Sequence, residues 1–63
     1  MRIKYYNENE KLISSTEDYV PHIGDFINID HIVYEVLAIK TTIVALHTEF
    51  DVYLSEREHD MSI

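Results

Sequence analysis

The sequence predicts an all-β domain: a small five-stranded SH3-like barrel or a strongly bent antiparallel sheet, open to completion by a homodimer. Three observations carry this. Apolar residues recur with a period of two along most of the chain, and turn-forming residues stand between the alternating runs. Five such runs within 63 residues have only one economical arrangement, a sheet curled on itself.

The elements follow in chain order. Residues 2–6 alternate with Ile3 and Tyr5 on one face, a first strand. Asn7, Glu8, Asn9 and Glu10 make a turn, because Asn tolerates positive φ and neither residue type favours strands. Residues 11–14 return as a second strand, closing a hairpin, and residues 14–18 form a polar loop. Ser15 and Asp18 have capping-box spacing, but Pro21 follows too soon for more than one helical turn. Pro21 lacks a ladder donor and Gly24 can take positive φ, so residues 20–25 form a shaped turn.

Residues 26–30 then alternate with Ile27 and Ile29 inward. A tight turn at Asp30–His31 leads into a return strand over residues 32–39. That strand is apolar on both faces: Ile32, Tyr34, Val36 and Ala38 on one, Val33, Leu37 and Ile39 on the other. It is therefore central, bulged, or covered by a partner. The last run has the strictest alternation. Val44, Leu46, Thr48, Phe50, Val52 and Leu54 share one face, opposite Ile43, Ala45, His47, Glu49, Asp51 and Tyr53. Val44, Leu46, Phe50, Val52 and Leu54 are expected to be buried, with His47, Glu49 and Asp51 largely exposed. Read as one strand it spans ~40 Å, so it must bend around a barrel or project and pair with another copy. Residues 1–55 make a single β-domain, and residues 56–63 a charged C-terminal tail in which Ser55 caps at most a short, fraying helix.

Composition narrows the function classes. Absence of cysteine removes disulfides, thiolate metal sites and thiol catalysis, and fits a reducing compartment. The net charge of −7, with five scattered bases, disfavours nucleic-acid backbones and anionic membranes. Residues 1–6 contain no apolar core of a secretory signal, and the longest mainly apolar run, residues 32–39, is far short of a membrane span. A cytoplasmic location is expected. A domain this small buries only ~60% of its unfolded surface, and with disulfides excluded, self-association is the leading way to enlarge the core.

Pro21-His22-Ile23-Gly24-Asp25-Phe26-Ile27-Asn28-Ile29-Asp30, followed by Tyr34-Glu35-Val36, covers about a third of the chain. It resembles small β-barrel proteins encoded by bacteriophages and prophages, in which a P-x-I-G-D turn leads through a strand and tight turn to a Y-x-V return strand. His31 departs from the Gly or Asn expected in that tight turn. The resemblance carries over no catalytic residue. It implies a host-cytoplasmic setting in which small acidic phage proteins often occlude a host protein, including components of bacterial defence systems.

Candidate sites are few. His47, Glu49 and Asp51 stand at i, i+2 and i+4, but neighbours on one strand face lie ~6.8 Å apart. Three in line cannot easily converge on one ion without His22, His31 or His59, so a solvated face is the expectation and no metal or cofactor is implied. Ser14, Ser15 and Thr16 lie in no nucleophile elbow, and a single glycine supplies neither an oxyanion loop nor a phosphate cradle. Asp25 and Asp30 read as turn residues, and no enzymatic activity is expected. Glu35, Glu49 and Asp51 form an acidic face that would imitate DNA phosphates only if the fold gathered the acids together; otherwise they serve solubility. Val33, Leu37, Ile39, Ile43 and Tyr53 face away from the best-defined inner set and mark an interface. The expected function is a homo-oligomeric protein-binding module, an inhibitor of a bacterial host or defence protein. The alternatives are a structural or accessory phage component, a small-molecule sponge at a dimer interface, and a DNA mimic.

Overall fold

The computed structural model describes residues 1–57, most of them in five strands. These are β1 (Arg2–Tyr6), β2 (Leu12–Thr16), β3 (Phe26–Ile29), β4 (Ile32–Val44) and β5 (His47–Glu56). They form one sheet in the order β2-β1-β5-β4-β3, curled into a half-barrel. The chain is all-β, as its alternation requires. The sheet is mixed, however, and not purely antiparallel: β1 runs parallel to β5, with Ile3 beside Phe50 and Tyr5 beside Val52. The other three pairings are antiparallel.

The concave face holds the core. Ile3, Tyr5, Tyr34, Val36, Val52 and Leu54 are buried, with Ile13, Val20, Ile27, Ile29, Ile32, Ile39 and Phe50 packed around them. Val52 and Leu54 are closed off because β5 has a strand on each side and a curled sheet over one face. Burial of each side chain contributes ~1.5–3 kcal/mol.

Two departures from simple alternation shape β4. A bulge between Val36 and Ala38 inserts Leu37 as an extra residue. Even-numbered side chains (Tyr34, Val36) face inward before the bulge and odd-numbered ones (Ile39, Thr41, Ile43) after it, since Ile39 pairs with buried Val52. The apolar character of both faces in residues 32–39 thus reflects a bulged strand. The second departure corrects the expectation of one strand over residues 43–54. A two-residue turn at Ala45 and Leu46 joins β4 to β5, with Val44 opposite His47. Such a turn places Val44 on the same face as His47, the convex face, and Leu46 at the tip. Val44 and Leu46 are consequently exposed, against expectation, while Val52 and Leu54 are buried and Phe50 half-buried.

The turns are held by specific groups. The Asn7 side chain accepts hydrogen bonds from the N–H of Asn9 (2.8 Å) and of Lys11 (3.0 Å). Pro21 is buried, and Gly24, at φ 97°, donates its N–H to the Val36 carbonyl. Val36 in turn donates to the Asp25 carbonyl, so the shaped turn is stitched to β4 where β3 begins. At its far end β5 continues to Glu56, and Arg57 N–H donates to the Val33 carbonyl. The sheet thus extends past residue 55; the rest of the charged tail and its expected helix lie outside the described residues.

Four non-glycine residues occupy hairpin positions with positive φ: Glu10 (62°), Asp30 (55°), His31 (68°) and Ala45 (54°). A side chain there costs roughly 1–2 kcal/mol, part of which glycine returns as extra unfolded-state entropy. His31→Gly and Ala45→Gly should each stabilise the fold by about 1 kcal/mol. In thermal unfolding followed by circular dichroism that is a rise of ~4–8 °C, whereas Gly24→Ala should lower the midpoint.

Candidate functional site

The register of the sheet leaves one element without neighbours. β3 accompanies β4 only from Ile32 to Glu35, and β1 accompanies β5 only from Glu49 onward. Beyond those points the β4–β5 hairpin continues alone as an arm, and the molecule measures 47 Å along its longest axis against 22 and 18 Å across. Along residues 37–44 the outer edge of β4 pairs with no strand among the described residues. The arm's side chains are apolar and open to solvent: Leu37 is 51% exposed, Ile43 71%, Val44 61% and Leu46 fully exposed at 104%.

The five residues predicted as an interface do not share one face. Ile39 and Ile43 lie on the concave face of the arm, and Leu37 sits at the bulge. Val33 and Tyr53 lie on the convex face of the sheet, where Tyr53 stacks on Tyr6 with ring centroids 5.4 Å apart. The bulge divides them, and the arm gathers Leu37, Ile39 and Ile43. Val44, on the opposite face of the arm, and Leu46, at its tip, are exposed there too although their alternation marked them as core. A turn without glycine or asparagine gave no sign that they lie at a tip.

The convex face carries the predicted acids, and it also carries bases. Glu49 lies 3.6 Å from Lys4 Nζ and 3.2 Å from His47 Nε2. Glu35 lies 3.5 Å from Arg57, and Asp51 stands in register between Lys4 and Lys40. Arg2 meets Glu17 at 3.7 Å. Exposed pairs like these contribute ~0–1 kcal/mol each, but they neutralise the face locally. Glu35, Glu49 and Asp51 thus share one face, with Lys4, Lys40 and Arg57 set among them. Among the described residues no three His, Asp or Glu side chains come together as a metal site.

A second feature is a cleft of about 230 Å³ between the sheet and the crossover of residues 17–25, lined by Tyr5, Ser14, Thr16, Asp18, Tyr19, Pro21, Ile27 and Ile29. It sits at the mouth of the half-barrel, between the two edge strands. Asp18 N–H bonds the Thr16 hydroxyl at 3.1 Å. The cleft offers hydroxyls and a carboxylate on apolar walls, with no histidine in its lining. The sequence placed Ser14, Thr16 and Asp18 in one polar loop; the structure puts Ser14 and Thr16 in β2, and the curl of the sheet brings Tyr5 and Tyr19 beside them.

No family model, curated protein or solved structure matches the chain. Its function is therefore read from its own geometry.

Burial, together with the nearby Tyr19 and Asp18, raises the Tyr5 phenol above the usual tyrosine value; burial, with Glu56 and Asp30, does the same for Tyr34. The folded state thus holds both protons more tightly than the unfolded chain. The corresponding stability is fully present below about pH 10, the ordinary tyrosine value, and is lost as pH rises through the raised values. Alkaline titration followed by circular dichroism should show unfolding beginning above pH ~10. Tyr34→Phe should move that onset upward.

Proposed function

We propose that the protein is a small acidic protein-binding module whose contact element is the β4–β5 arm. On this reading it is a phage-encoded inhibitor that occludes a bacterial host or defence protein in the host cytoplasm. One observation carries the reading: an unpaired strand edge and a run of exposed apolar side chains lie together on a projecting hairpin. An exposed edge supplies main-chain donors and acceptors for an added strand, and the flanking apolar side chains supply specificity. The P-x-I-G-D hairpin and its resemblance to phage β-barrels supply the biological context, by analogy of fold.

The cleft favours a second reading, a small-molecule sponge. Its walls belong to a single copy, so this form of the sponge needs no dimer interface. A cleft of about 230 Å³ is at the small end for ligand sites, which ranks it behind the arm.

Tagged wild-type protein incubated with candidate host proteins should retain its target as salt is raised, because an apolar anchor is not screened. Leu46→Asp should abolish retention without unfolding the domain, since Leu46 contributes nothing to the core. Glu49→Gln should leave retention unchanged. Capture that weakens steeply with salt and is lost in Glu49→Gln instead would assign the activity to the convex charges and overturn the arm reading.

A further inference from the structure

The arm has a preferred first occupant. We infer that the free edge of β4 pairs with the same edge of a second copy, antiparallel, about a two-fold axis passing through Thr41. This rests on the arm being a protein-binding element and names its partner.

Charge selects the partner. Residues 36–48 contain no Asp or Glu, the longest such stretch in a chain with twelve, and Lys40 is the only Lys or Arg in it. Two copies carrying −7 each repel over most of their surfaces, and the arm is where they can approach without opposing acids.

Geometry then selects the register. Val44 and His47 close a two-residue turn, and residues flanking such a turn form a hydrogen-bonded pair. Alternating back along β4, the N–H and C=O of Ile43, Thr41 and Ile39 point away from β5. The edge is bounded at its inner end, where the backbone of Val36 is already taken by Gly24 and Asp25. An antiparallel copy therefore slides in until its tip meets the shaped turn. With the axis at Thr41, Thr41 faces Thr41 and Ile39 faces Ile43 in both directions, each pair exchanging two N–H···O bonds.

The neighbouring registers are worse. Moving the axis to Lys40 sets the two lysines directly opposite each other and drives Val44 of one copy against the occupied Val36 of the other. Moving it to Thr42 shortens the ladder, setting Ile39 and Ala38 of one copy against the turn residues Ala45 and Leu46 of the other. The Thr41 register also brings the tip Leu46 of each copy beside Leu37 and Ile23 of the other, residues that are otherwise exposed. The contact uses the same edge on both copies, so it closes at two.

The chain has no cysteine, which permits a register-specific test on the full-length protein. The Thr41 pair would have Cα atoms ~5.5 Å apart, within disulfide range, while two Lys40 residues would stand beyond ~7 Å. Thr41→Cys should cross-link to a dimer under mild oxidation and Lys40→Cys should not. Untreated wild type should be a dimer by light scattering at micromolar concentration. Ile43→Lys should weaken that dimer by about a hundredfold or more, because the axis presents each substitution twice, and the variant should stay folded by circular dichroism. A wild-type monomer at high concentration, or equal cross-linking at Lys40 and Thr41, overturns the inference. A wild-type monomer that still captures a host protein through Leu46 would do so while leaving the protein-binding reading intact. A Thr41-centred dimer that captures none would sustain the inference and sink the inhibitor reading alone.

Discussion

The structure depends on β5 being hydrogen-bonded along both edges. It is flanked by β1 in parallel and β4 in antiparallel register, which joins the start of the described chain to its end. That pairing places Val52 and Leu54 at the centre of the concave face, next to Ile3, Tyr5 and Val36. With six buried side chains in the core, little reserve remains elsewhere. Deleting one large member would consume much of the stability that a domain of this size has, since such changes typically cost ~2–5 kcal/mol.

The same arrangement creates the arm. β5 is twice as long as β1 and β4 more than three times as long as β3, and they outrun β1 and β3 at the same end of the sheet. The bulge at Leu37 lies where β3 gives way to open edge, and it turns Ile39 and Ile43 onto the concave side. Core and arm are therefore one continuous apolar surface, covered at one end by the sheet's own curl and uncovered at the other. The small core and the exposed arm have a common cause: the chain has length enough for a long hairpin but only short strands to cover it.

How much of this was legible in the sequence depends on whether a feature leaves a local chemical trace. The Asn7 turn, the Pro21–Gly24 corner and the inward set Ile27, Ile29, Val52 and Leu54 all do, through turn residues or alternation. The Asp30–His31 turn was placed correctly even without glycine, because the apolar runs on either side fixed it. The Ala45–Leu46 turn left no trace. A two-residue turn of ordinary residues does not interrupt a period-two pattern, so Val44 and Leu46 read as core when one lies on the convex face and the other at the tip. The parallel β1–β5 pairing and the cleft are equally silent, because the first joins residues 47 positions apart and the second gathers residues spread from Tyr5 to Ile29. The bulge was legible only as one of three explanations for a strand apolar on both faces.

An unpaired, apolar strand edge ordinarily invites uncontrolled stacking, and proteins blunt such edges with charge, proline or bulges. Here the protection is placed around the edge and not on it. Glu35 and Glu49 bound the acid-free stretch on either side, the Leu37 bulge and the Gly24 corner end it in space, and the net charge repels any approach from elsewhere. These features leave one window open, eight residues long, with a cation near its centre and no anion. An edge so bounded accepts one strand of matching length. The distribution of charge that keeps a small apolar protein from aggregating is thus also what gives its contact surface a defined extent and register.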